Sequence, residues 1–174
     1  MSQDVTNDLE QGVLAGWALS PALVAAVPVA KVYAGGLPAE PVPPYASLKV
    51  EPIRREIQSV FEPGSTYADV LRLTVSVWAA GTTPETTAGQ LALLVMGGIG
   101  HEGWSVPDRR LMAVLPDAEP HAEEDGTYQG DPVWRADVGF EVWVQGELPF
   151  PGYDITDSLD LYWEQIETPW QITG

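Results

Sequence analysis

Apolar and polar positions alternate between residues 70 and 79. Leu71, Leu73, Val75, Val77 and Ala79 share one face. Arg72, Thr74 and Ser76 take the other, with Trp78 as the exception. A period of two predicts a strand with one buried face, and the β-branched content agrees. The period then changes. Thr82 is placed as an N-cap, Glu85 lies three residues on as in a capping box, and Pro84 is tolerated in a first turn. Leu91, Leu94, Val95 and Met96 form an apolar stripe, and Gly97-Gly98 predicts a left-handed stop. A half-buried strand needs a cover and this helix offers one, so the pair is the expected centre of the fold.

The same periodicities run along the rest of the chain. Residues 7–19 predict a helix, with Asn7 and Glu10 in capping-box spacing and Leu9, Val13, Leu14 and Trp17 on one side. Ser20-Pro21 restarts a short helical turn that Pro28 ends. Residues 31–33 predict a short strand, followed by a Pro-rich loop to Pro44. Residues 45–50 predict a strand that Pro52 bends or places at an edge. Residues 53–61 continue as the rising arm of a hairpin, turning at 62–66. After a loop holding His101, Glu102 and Trp104, residues 109–115 predict a strand. Residues 117–131 carry six acids and no base and read as a mobile or long hairpin loop. Residues 133–145 alternate again, with Trp134, Ala136, Val138, Phe140, Val142 and Val144 on one face. The expected architecture is α+β: a two-layer sandwich whose mostly antiparallel sheet of four to five strands carries two helices on one face.

The expected division is a domain over residues 1–146 and an acidic, aromatic extension over 147–174. That extension holds six acids and no base together with Phe150, Tyr153, Tyr162, Trp163 and Trp170. So many aromatic residues are unusual for plain disorder and suggest a segment that docks on its own domain or on a partner.

Composition narrows the function. The chain has 174 residues, 25 acids, 8 bases and a net charge of −17. Such a surface repels nucleic acid, which argues against a groove reader or phosphate clamp. There is no cysteine, so disulfides and thiol nucleophiles are excluded. The uncharged run 12–30 is interrupted by Gly12, Gly16, Pro21 and Pro28 and follows an acidic flank, so neither an export signal nor a membrane anchor is expected.

Several short phrases resemble the tail terminator (tail completion, neck) proteins of long-tailed phages and related prophages. Ser20-Pro21-Ala22-Leu23-Val24-Ala25-Ala26-Val27 precedes Lys31-Val32-Tyr33-Ala34-Gly35-Gly36-Leu37-Pro38, and then comes Pro44-Tyr45-Ala46-Ser47-Leu48. Leu73-Thr74-Val75-Ser76-Val77-Trp78-Ala79 and Arg135-Ala136-Asp137-Val138-Gly139-Phe140-Glu141-Val142 fall where that family has its later strands. The resemblance covers roughly residues 7–145. The 117–131 stretch is long for the pattern, and the 147–174 extension lies outside it. The resemblance implies a virion protein assembled in the host cytoplasm: a ring, commonly of six subunits, that caps the tail tube and joins it to a head-completion or connector protein. It implies no catalytic residue, cofactor or metal, and DNA that passes through without specific binding.

Other chemistry is weaker. His101, Glu102, His121, Glu123, Glu124 and Asp125 lack zinc spacings and a calcium-loop pattern. Ser76 has no nucleophile-elbow frame. A carboxylate hydrolase ranks last, because its carboxylates are defined by separation in space. Seven tryptophans among many acids could describe a carbohydrate-binding module, but those at 17, 78 and 134 fall on elements of the apparent core. Another neck protein, such as a head-completion protein, is a near alternative. The interface candidates are Arg54, Arg55 and Glu56 on the hairpin, Glu119, Glu123, Glu124 and Asp125 in the acidic stretch, and Tyr162, Trp163 and Trp170 in the extension. The plain expectation for Arg54 and Arg55 is solvated edge charge that blocks stray strand pairing. In a ring, the acidic stretch would face the channel or the head-side partner, and the extension would brace a neighbour.

Overall fold

A computed structural model describes residues 3–57, 66–100, 103–117 and 119–147. Three helices, α1 (Gln3–Leu19), α2 (Pro21–Ala26) and α3 (Pro84–Ile99), cover one face of a six-stranded sheet. The strands are β1 (Val32–Ala34), β2 (Tyr45–Ile57), β3 (Thr66–Ala80), β4 (Arg110–Pro116), β5 (His121–Tyr128) and β6 (Asp131–Glu147). This is the α+β sandwich expected, with one more helix and at least one more strand than the alternation predicted.

Every strand pair is antiparallel except β1 with β2. β3 and β6 form the central ladder, with Leu73 opposite Phe140 and Val75 opposite Val138. These side chains are fully buried beneath the helices, each worth about 1.5–3 kcal/mol relative to exposure. The helical layer meets them with Val5, Leu9, Val13 and Trp17 of α1 and Ala88, Leu91, Ala92, Val95 and Ile99 of α3. A spacing of three or four residues puts each set on one side of its helix. Trp17 donates its indole N–H to the Val27 carbonyl at 2.9 Å, and Trp104 donates to Ile99 at 2.9 Å. Each buried indole therefore keeps its hydrogen bond while filling the core. α1 approaches the 104–106 segment closely because Gly12 and Gly16 face it. A Cβ on Gly12 would lie 2.7 Å from the Ser105 carbonyl oxygen.

Ser20 caps α2 through its side chain, and Pro21 occupies the first turn, as the sequence predicts. α3 departs from prediction at both ends. Its N-cap is Thr83, whose side chain makes no capping bond. The helix also runs through Gly97-Gly98 to Ile99 and ends at Gly100 in right-handed conformation. Packing explains the overrun: Ile99 is fully buried in the core, so continuing the helix is worth more than stopping at the glycines. Leu94 is correspondingly exposed, and the buried stripe is Leu91, Val95 and Ile99.

The larger correction concerns residues 117–131. They do not form a long loop. Residues 121–128 are β5, hydrogen-bonded to the first half of β6 through a tight turn at Gln129-Gly130, where both φ angles are positive. β4 pairs with the second half of the same edge of β6. Asp117 donates its backbone N–H to Gly139 at 2.9 Å between the two. β4 and β5 together thus make one interrupted edge strand along the 17-residue β6. An acidic strand with its side chains exposed lacks the apolar alternation by which strands are recognised.

Candidate assembly surface

The sheet face opposite the helices carries a set of ion pairs. Arg72 lies 3.6 Å from Asp117, and Lys49 lies 2.9 Å from Glu51. That contact, an exposed one, holds the Glu51 carboxyl below its ordinary pKa. Arg135 is the largest junction. It pairs with Glu123, sits 3.9 Å from Asp125 and lies 3.4 Å from Asp137. Two of the predicted interface acids, Glu123 and Asp125, therefore converge on one arginine that sequence reasoning did not single out. Glu124 and Glu119 are exposed and do not join that cluster.

At one end of this face the polar surface gives way to a second, smaller apolar cluster. Tyr45 stacks on Trp78 with ring centroids 4.7 Å apart, and Val133 completes the floor. Trp78, the exception in the alternation, thus belongs to this cluster and not to the helix-covered core. Its indole N–H donates to Asp125 at 2.7 Å. Burial, with Asp125 and Tyr33 adding to it, pushes the Tyr45 phenol up to about 12. A concavity of about 470 Å³ opens here between the Pro-rich loop at Pro41 and Pro43 and the β5–β6 turn at Tyr128.

Arg54 and Arg55 are separated by the sheet itself. β2 carries an extra residue between Pro52 and Arg54, and the exposed Ile53 occupies the bulge. Arg54 then stands on the open face, bonded to Glu56 at 2.6 Å and 5.3 Å from the Trp143 ring. Arg55 turns to the helix side. It donates to both oxygens of Asp69, at 2.7 and 2.9 Å, and stacks over Tyr67 at 4.0 Å. Asp69 is fully buried, and its hydrogen bonds raise the Arg55 pKa above its ordinary value. The reading of Arg55 as plain edge charge is therefore corrected. It neutralises a carboxylate that the core could not otherwise hold.

Next to this pair lies a concavity of about 740 Å³. Arg109 enters it bonded to Asp8 at 2.8 Å and to the Tyr67 hydroxyl at 3.4 Å. Asp108, Arg110, Gln145 and Gly146 form the remaining wall. Tyr162, Trp163 and Trp170 lie outside the described residues, as do His101 and Glu102. Among the described residues no group of three or more histidine or acidic side chains is arranged to hold a metal.

Among the described residues, both lateral edges of the sheet are open along much of their length. β1 pairs only with Ala46, Ser47 and Leu48, so β2 has no strand on its outer side from Lys49 to Ile57 among the described residues. The β4–β5 edge has none on its outer side either.

No family model matches the chain, and no curated protein matches it. Among solved structures, the fold is similar to a chain of the virion of a native gene transfer agent particle. The TM-score is 0.58 at 20% identity, over 83% of this chain and 100% of that one. The likeness establishes a shared fold that spans the whole of the virion chain.

Proposed function

We propose that this chain is a structural virion protein, a ring subunit of tail-terminator type at the head-proximal end of a tail-like particle. The observation that carries the reading is the likeness to a gene transfer agent virion chain over that chain's full length. The sequence order shared with tail terminators supports it independently. The geometry is compatible: a sheet with two open edges on opposite sides can meet its copies head to tail, and a heterologous contact that closes makes a ring. Such contacts would form by strand addition, with Pro52 and the edge charges limiting it to the correct partner. The ring would end growth of the tail tube and receive a head-completion or connector protein. The exposed acids of the β4–β5 edge, Glu119 and Glu124, would face the channel and keep DNA from adhering.

Mass in solution and electron micrographs of the purified chain, alone and with its tube protein, test this reading. Annular oligomers, or rings at tube ends, are expected. Lysine at Glu119 and Glu124 should slow DNA passage while rings still form. A chain that stays monomeric beside its tube and connector partners overturns the proposal, and unchanged DNA passage overturns the channel assignment.

A further inference from the structure

We infer that the cleft beside Arg110 is the receptor for the acidic C-terminal segment, residues 148–174, of the same chain. The chain has six arginines and 25 acids. Arg54, Arg55, Arg72, Arg109 and Arg135 each have a carboxylate partner. Arg110 opens β4, is exposed, and is the one arginine among the described residues with no such partner. A guanidinium left over in so acidic a protein is a feature to explain, since its fork is built to grip carboxylates.

The occupant follows from position and composition. β6 ends at Glu147, and Gln145 and Gly146 line the cleft directly before it. Gln145 lies opposite Arg110 in the ladder. The chain therefore leaves the domain at the mouth of the cleft. The 27 residues that follow contain Asp154, Asp157, Asp160, Glu164 and Glu167 and no base. These acids recur every three or four residues, so a helical turn formed on binding would present them along one side. Reach is no obstacle, since seven extended residues span roughly 23–25 Å. Of the other charges in the cleft, Asp8 is answered by Arg109, which is also tied to Tyr67, while Asp108 has no ion pair among the described residues. Asp108 opposes an acidic ligand, which directs it to the Arg110 side. This position favours the parent chain over a neighbouring copy, and the inference does not rest on ring formation.

The test uses the full chain carrying Arg110→Lys, which keeps the charge and introduces an amine. A carbodiimide will join that amine to a carboxylate in contact with it, and mass spectrometry will locate the amide. The expected bond is to one of the five acids between 154 and 167. It should form within single copies when ¹⁴N and ¹⁵N chains are mixed, and 0.5 M salt should suppress it. A bond to Asp8, Asp108 or any acid outside 148–174, a bond between copies, or no bond at low salt overturns the assignment. As a second measurement, Arg110→Glu should speed chymotrypsin cleavage within 148–174 about threefold or more. An unchanged rate overturns it.

Discussion

Replacing Arg55 by methionine isolates the one fully buried charge among the described residues, Asp69. Asp69 is 0% exposed, and both its oxygens are bonded to Arg55. Removing one member of a fully buried ion pair costs about 3–5 kcal/mol, because the survivor stays desolvated and unpaired. Arg55 is itself 38% exposed. Water can therefore enter as the arginine leaves, which lowers the expected loss to about 2–3 kcal/mol. For a chain of this length that corresponds to a fall in Tm of about 5–10 °C. Urea unfolding measures it directly, with an unchanged m-value as the sign that only stability moved. The sharper test is the double variant Arg55→Met with Asp69→Leu. Exchanging a whole buried pair for apolar groups is often neutral, so the double variant should recover most of the loss. A single variant within about 0.5 kcal/mol of the parent would refute the reasoning. So would a double variant no better than the sum of the singles.

Glycine substitutions should change sign with their surroundings. Gly97→Ala meets no atom within 4 Å and should stabilise by about 0.5–1 kcal/mol through helix propensity. Gly12→Ala sets a methyl 2.7 Å from a backbone oxygen that cannot rotate away, and overpacking of this kind should leave it about 1–2 kcal/mol less stable. Thermal melts of the two variants giving the same sign would contradict the close approach of α1 to residues 104–106. At alkaline pH, the raised pKa of Tyr45 means the folded state favours the neutral phenol. Its contribution is complete below about pH 10, the unfolded value, and is lost as pH climbs toward about 12. Absorbance at 295 nm should show a late-titrating component that Tyr45→Phe removes, and a variant titration indistinguishable from the parent's at high pH would count against the burial of Tyr45.

The hydrophobic pattern alone determined the architecture at the centre. Strands with one fully buried face, such as the runs around Leu73 and Phe140, must alternate. The helices that cover them must repeat every three or four residues. Both signals are local and survive in sequence. What failed to show was whatever depends on a neighbour. β5 has little apolar alternation, so only its hydrogen bonds to β6 make it a strand. α3 passes its glycines because Ile99 finds a core to enter.

The same division governs the surface. Composition shows that the chain is acidic, with only eight bases, but not which of them are engaged. Adjacent residues on a strand always face opposite ways, so one of Arg54 and Arg55 had to turn inward. The alternation from Ala46, Leu48 and Val50 would have sent Arg54 in. The extra residue at Ile53 reverses that choice and brings Arg55 to Asp69. Whether a charge is buried or paired, as Asp69 and Arg55 are, depends on the register of strands distant in sequence. Only the folded sheet sets that register.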